Sequence, residues 1–135
     1  MSYSIDEIEG IGPTYAAKLG ELGIKTTEAY LERAKDPKGR KALEEETGIE
    51  GARILKWANM ADLMRISGVG EEYSELLEAA GVDTVKELKH RNAANLTAKM
   101  HEVNETKKLV RQVPGEAQVT KWVEQAKDLP PMMTY

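Results

Sequence analysis

The chain has 135 residues, of which 41% are hydrophobic and 31% are charged, with a net charge of −4 and no cysteine. This composition is typical of one globular domain or two small packed halves, and it excludes a disordered chain, disulfide bonds and thiolate metal sites. Aromatic residues make up only 5%, which favours helices over a β-sandwich. No apolar stretch is long enough to span a bilayer and no secretory signal is present, so we expect a cytoplasmic protein without a membrane partner.

The first predicted feature is a glycine-rich bend at residues 8–12 (IEGIG), named here the first bend. Pro13 can begin a helix directly after it, because the first helical residue needs no partner for an N–H group. Gly23 can end that helix in the left-handed conformation, and Thr26 or Thr27 can cap the next one. These signals predict two short helices after the bend.

Similar signals continue along the chain. Asp36 and Pro37 open a helix that Gly48 closes, and Asn92 caps a later helix. Two prolines end the last helix and leave residues 130–135 as a tail that is either mobile or docked. No segment shows the alternation of a strand, so the pattern predicts an all-α fold with roughly nine or ten short helices.

The second half of the chain resembles the first. A second bend at residues 66–70 (ISGVG) is followed by the same helix pattern, and Trp57 and Trp122 end the similar segments ARILKW and AQVTKW. We expect both tryptophans to be core anchors. Duplication predicts two units packed into one compact helical domain, with repeats at residues 1–65 and 66–129 and a tail at residues 130–135.

The segment IEGIGPTYAAKLGELGIKT (Ile8 to Thr26) resembles the helix-hairpin-helix motif, and ISGVGEEYSELLEAAGVDT (Ile66 to Thr84) resembles it less closely. Nearly the whole chain is also similar to a family of small, uncharacterised bacterial proteins classed as a domain of unknown function of helix-hairpin-helix type. The resemblance implies tandem helical hairpins. In the DNA-binding members, N–H groups of the glycine turn hold phosphate oxygens without reading the base sequence.

The resemblance makes the backbone of DNA or RNA one candidate partner. The first bend would supply the phosphate contacts, and the basic run from Lys35 to Lys41 would supply a neighbouring patch. Two simpler interpretations stay open, namely that the glycines only make a tight turn and that the basic run is a solvated helix face. The candidate nucleic-acid-binding residues are Gly10, Ile11, Gly12, Thr14, Lys18, Lys35, Lys38, Arg40 and Lys41.

The second bend is followed by two acids, Glu71 and Glu72. A carboxylate about 4 Å from a phosphate costs about 4 kcal/mol at an effective dielectric constant of about 20. A helix N-terminus returns only about 0.3–1 kcal/mol, so we expect this bend to be structural or to contact a protein. Tyr15 and Tyr73, at equivalent positions, suit a protein interface if exposed and are equally compatible with partial burial. The candidate protein-interface residues are therefore Tyr15, Tyr73, Glu71 and Glu72.

Evidence for catalysis is lacking in the sequence. His90 and His101 are the only histidines, and no nucleophile motif, phosphate-binding loop or metal-ligand spacing occurs. We therefore expect no enzyme activity, no cofactor and no metal site. The leading hypothesis is a non-enzymatic module that binds a nucleic-acid backbone weakly and without sequence preference. The alternative is a protein–protein interaction or self-assembly module that binds no nucleic acid.

Overall fold

The protein is all-α, as the sequence predicts. The structure, a computed structural model, describes residues 3–135; residues 1 and 2, with which the predicted first repeat begins, lie outside the described part. Within that part the chain forms eight α-helices and one short 3-10 helix (Ile5–Glu7), it forms no strand, and none of its helices is long and apolar enough to cross a membrane. The α-helices are α1 (Pro13–Glu21), α2 (Thr27–Ala34), α3 (Pro37–Thr47), α4 (Gly51–Leu63), α5 (Glu71–Ala79), α6 (Val85–Leu88), α7 (Ala93–Lys107) and α8 (Glu116–Asp128).

Three helices, α2, α3 and α7, begin at caps that the sequence predicts. The side chains of Thr26, Asp36 and Asn92 each accept a hydrogen bond, of 3.1, 2.7 and 3.0 Å, from the backbone N–H three residues later. These bonds satisfy amides that have no partner inside the helix. Gly48 ends α3 with a φ of 73°, and Gly23 follows α1 with a φ of 80°. The predicted starts and stops at these positions are confirmed.

Two clusters of buried side chains form the interior. The first surrounds Trp57 with side chains from the 3-10 helix and α1–α4, and the second surrounds Trp122 with side chains mainly from α5–α8. Each tryptophan is only 2% exposed, which confirms that both are core anchors. Leu63 of α4 packs in the second cluster and Met133 of the tail packs in the first. The clusters therefore do not separate at one point of the chain, and the duplication with its boundary after residue 65 stays a prediction.

A buried acid near the end of α4 connects this helix to the start of α6. Asp62 of α4 is 1% exposed and accepts a 2.8 Å hydrogen bond from the backbone N–H of Val85, the first residue of α6. Its other oxygen pairs with Arg65 at 2.8 Å, and Arg65 also donates to the carbonyl of Pro130 at 2.7 Å. One carboxylate thus links both clusters to the start of the tail.

The tail, residues 130–135, docks on the first cluster. The N–H of Thr134 donates to the carbonyl of Lys35 at 2.8 Å. Arg40 donates to the carbonyl of Thr134 at 2.7 Å, and its guanidinium lies 5.5 Å from the centre of the Tyr135 ring. Of the two states that the sequence left open for the tail, the structure has the docked one.

Candidate functional site

The first bend exposes backbone amides at the start of α1. Gly10 has a φ of 97°, in the left-handed region that favours glycine. The side chain of the next residue, Ile11, is buried in the protein interior. Gly12 precedes α1 and no side chain caps the helix. Thr14 is exposed, and its amide has no acceptor among residues 3–135. The backbone N–H of Thr14 is therefore free to donate a hydrogen bond to an oxygen atom of a ligand.

A cleft of about 460 Å³ opens beside this bend, between the bend, α4 and α5; it is named here the first cleft. Lys56 lies on its wall, 3.9 Å from a carboxylate oxygen of Glu78. The guanidinium of Arg53 lies 5.6 Å from the centre of the Tyr15 ring. Two cations and two acids line the cleft, so their formal charges cancel. The main lining residues are Glu9, Gly10, Arg53, Lys56, Trp57 and Glu75.

Acids from two separate parts of the sequence meet at the first bend. Glu71 begins α5, and its carboxyl forms a hydrogen bond with that of Glu9. This bond, with partial burial and the nearby charges of Glu72 and Glu75, raises the pKa of Glu71 from 4.5 to about 7. The sequence suggested that Glu71 would obstruct the second bend. The structure instead turns its carboxyl towards the first bend.

The second bend has the same backbone shape and different neighbours. Gly68 has a φ of 93°, and the Gln125 side chain accepts from the N–H of Ser67 at 3.0 Å and donates to its carbonyl at 3.3 Å. Beside this bend lies the second cleft, of about 540 Å³. Among the described residues that line it, Lys121 is the only one with an ionisable side chain. The main lining residues are Ser67, Gly68, Gln118, Lys121, Trp122 and Gln125.

Each cleft holds a buried tryptophan whose indole N–H has no hydrogen-bond acceptor within residues 3–135. A Cβ atom on Gly10 would lie 3.1 Å from Nε1 of Trp57, and a Cβ atom on Gly68 would lie 3.3 Å from Nε1 of Trp122. Because glycine has no Cβ, the N–H edge of each ring stays open to its cleft. Neither nitrogen is among the buried side-chain atoms of residues 3–135 that lack a partner, so each N–H group can donate to water or to a ligand in its cleft.

The two tyrosines of the interface hypothesis are half-buried. Tyr15 packs on Trp57 and Tyr73 packs on Trp122, with ring centroids 5.2 Å apart in both pairs. The hydroxyl of Tyr73 also donates to the carbonyl of Gln112 at 3.0 Å. Only part of each ring is left for a partner protein, and the interface itself stays a prediction.

Two cations of the basic run have partners within the chain. Lys35 pairs with Glu32 at 2.8 Å, and the hydrogen bond with that carboxylate raises the pKa of Lys35. Arg40 holds the tail through the contacts described above. Lys38 and Lys41 are exposed and form no ion pair among residues 3–135.

The basic run lies apart from the first bend. Lys18, one turn into α1, reaches the carbonyl of Thr47 at 3.4 Å, so α1 meets the C-terminal end of α3. Lys38 lies at the other end of α3, roughly 13 Å away at 1.5 Å per helical residue. Phosphate binding by the basic run stays a prediction, and Lys38 lies at the end of α3 that is away from the contact with Lys18.

The described residues show no metal-binding cluster. Within residues 3–135, no group of three or more histidine, aspartate and glutamate side chains is arranged to hold a metal ion. The ring nitrogen Nε2 of His101 lies 3.2 Å from the carbonyl of Pro114, and His90 is exposed elsewhere on the surface. The expectation that the chain is not an enzyme stays a prediction.

Both clefts, the second bend and all of the first bend except Ile8 lie in the segment, residues 9–129, that matches the family described as Domain of unknown function (DUF4332). The chain belongs to this family. The expected membership of a domain-of-unknown-function family is thereby confirmed. No curated protein and no solved structure matches the chain.

The sequence interpretation missed the second cleft of this DUF4332 domain. A signal for it was present, since Lys56-Trp57 and Lys121-Trp122 are identical dipeptides at matching places after the two bends. Gln118 and Gln125 complete the second cleft, and their roles depend on which face of α8 turns towards the bend.

Proposed function

We propose that this DUF4332 chain is a non-enzymatic module of helix-hairpin-helix type that binds the backbone of nucleic acid weakly and without sequence preference. The observation that best supports the proposal is the exposed first bend, where unpaired amides of α1 lie near the cations Arg53 and Lys56. A helix N-terminus and adjacent cations suit phosphate oxygens. Contacts of this kind follow the backbone and do not read bases.

The acids around the bend account for the weakness of the proposed binding. Glu9 and Glu75 line the same cleft as the two cations, and Glu71 contacts Glu9. A phosphate at the bend would therefore meet both attraction and repulsion. We expect binding at low ionic strength that weakens as salt is added, with a log–log slope of about −0.9 for each neutralised phosphate, so that the few contacts at the bend give a modest slope.

The test is fluorescence anisotropy of labelled duplex DNA, single-stranded DNA and RNA, titrated with the full chain at low and at physiological salt. The double variant Arg53→Gln/Lys56→Gln removes both cations of the first cleft. On duplex DNA it is expected to weaken binding and to reduce the log–log salt slope by up to about 1.8, since each phosphate contact contributes about 0.9.

The matched control is Lys38→Gln/Lys41→Gln, which removes the same charge from the exposed part of the basic run. We expect a smaller loss of affinity for this control. Equal losses in the two variants would show attraction by net charge alone and would contradict the site at the first bend. No binding to any of the three nucleic acids at low salt would overturn the proposed function.

A second candidate function is self-assembly, and the exposed acids Glu71 and Glu72 at the start of α5 favour it, because they suit a basic protein surface. Sedimentation velocity over a wide range of protein concentration tests it. A mass that rises with concentration in the parent chain, and rises less in Glu72→Lys, would support self-assembly. A constant monomer mass would exclude it.

A further inference from the structure

The open indole N–H of Trp122 is a donor without a built-in acceptor. Trp122 is 2% exposed, yet its Nε1 lies beside Gly68 in the second cleft and has no hydrogen-bond partner within residues 3–135. The nitrogen atom is not among the buried side-chain atoms of residues 3–135 that lack a partner, because it opens onto the second cleft, where water or a ligand can accept its hydrogen bond. Because the indole N–H can only donate, its partner must be an acceptor atom.

The charge of the second cleft indicates which acceptor fits. Lys121 is the only ionisable residue among the described residues that line it, and the amide side chains of Gln118 and Gln125 can add further donors. Glu71 turns away to contact Glu9, and Glu72 does not line the cleft. A donor-rich cleft with one net positive charge suits an oxygen atom that carries negative charge.

We infer that the second cleft is an oxyanion site, which holds a phosphate group between the indole N–H of Trp122 and the ammonium group of Lys121. In the setting of the proposed function, this site adds a second contact to the nucleic-acid backbone, and to that extent it rests on that proposal. The first cleft has an equivalent tryptophan and lysine and also Arg53, but Glu9 and Glu75 line it as well and offset its two cations. The second cleft is therefore the stronger phosphate site of the two.

The two indole groups give a direct measurement, because Trp57 and Trp122 are the only tryptophans of the chain. The full chain, with ¹⁵N in its indole groups, is titrated with inorganic phosphate at pH 7.5 while chloride keeps the ionic strength constant. Two-dimensional NMR spectra then follow two N–H signals, assigned with Trp57→Phe. We expect the Trp122 signal to move in a saturable manner and further than the Trp57 signal.

Two lysine variants test whether Lys121 contributes to the binding of phosphate at Trp122. Lys121→Gln is expected to weaken phosphate binding at Trp122 by up to about fivefold, the scale of an exposed charge contact. The matched control Lys56→Gln changes the equivalent lysine of the first cleft and should leave the Trp122 titration as it is in the parent chain. A Trp122 signal that does not move, or that moves equally in the parent chain and in Lys121→Gln, would overturn the oxyanion site.

The same spectra separate this inference from the proposed function. If labelled DNA binds in a salt-sensitive manner while phosphate and DNA leave the Trp122 signal in place, the second cleft is not a phosphate site and the nucleic-acid proposal stands. If phosphate moves the Trp122 signal and no nucleic acid binds, the oxyanion site stands as a site for a small phosphate compound. The nucleic-acid proposal then fails.

Discussion

The two glycine bends share a backbone and differ in their electrostatic surroundings. Gly10 and Gly68 have φ values of 97° and 93°, and each lies against the indole nitrogen of a buried tryptophan. Around the first bend, carboxylates come from the bend itself and from α5. Around the second bend, glutamine side chains take their place and one lysine carries the charge. The bend that resembles a nucleic-acid motif more closely therefore has the more acidic surroundings.

This difference shows that the residues beside a turn in sequence do not decide the charge that a ligand meets there. Glu71 follows the second bend in sequence, and its carboxyl contacts Glu9 of the first bend. The packing of α4 against α5, with Asp62 bonded to the start of α6, sets that relation. The electrostatic character of each bend is thus a property of tertiary structure.

The largest expected effect comes from removing the tryptophan behind either bend. Trp57→Ala and Trp122→Ala should each lower the free energy of unfolding by about 3–5 kcal/mol, because each substitution leaves a large cavity in a closely packed cluster. Urea denaturation followed by circular dichroism measures the loss. A loss below about 1 kcal/mol in one variant would mean that its cluster can collapse around the gap. The tryptophans behind the two bends would then differ in how much they stabilise the fold.

The tryptophan that remains in each of these variants reports on the other cluster. If its fluorescence changes at the same urea concentration as the helical signal, the two clusters unfold together. We expect this coincidence, because Asp62 and the docked tail connect the clusters. Separate transitions would instead show two independently stable halves.

Local sequence signals predict the helices well, since the relevant forces act within a few residues. Thr26, Asp36 and Asn92 cap the next turn of their own chain, and both tryptophans lie in strongly apolar helix faces. The position of the tail and the clefts could not be predicted in the same way. Arg40 belongs to a basic run in sequence, and only the return of the tail shows that it binds Thr134.

The two glycines of each bend are expected to differ in how much stability is lost when alanine replaces them, and this effect is smaller. Gly10→Ala and Gly68→Ala should each cost about 1–2 kcal/mol for a left-handed alanine. Gly10→Ala should cost slightly more, because its Cβ would lie 3.1 Å from the indole nitrogen, compared with 3.3 Å at Gly68. Thermal or urea unfolding of the purified variants measures the difference.

The controls are Gly12→Ala and Gly70→Ala, at the other glycine of each bend. Their φ values are −87° and −107°, and a Cβ at either position would have no neighbour within 4 Å. We expect these variants to lose less than about 1 kcal/mol, because the restriction of the unfolded chain by alanine offsets part of the preference of these N-cap positions for glycine over alanine. If they lose as much stability as the first pair, backbone strain at Gly10 and Gly68 is not the cause.

The smallest effect concerns Glu71 and depends on pH. Its pKa is about 7 in the folded chain and 4.5 as an ordinary value, so the folded state holds the proton more tightly. The free energy of unfolding should therefore fall as the pH rises from 4.5 to about 7, and the loss should be complete above that range. Glu71→Gln removes this penalty.

We accordingly expect Glu71→Gln to be more stable than the parent chain at pH 8, by at most about 1 kcal/mol because the contact is largely exposed to solvent. At pH 4 the two chains should be equally stable, since Glu71 of the parent chain is then protonated. Glu72→Gln removes an exposed acid from the same helical turn and serves as the control for net charge. If both variants gain equally at pH 8, general repulsion explains the gain. A gain confined to Glu71→Gln would instead confirm that the carboxyl of Glu71 contacts Glu9 of the first bend. Fewer acids then surround the second bend than the first.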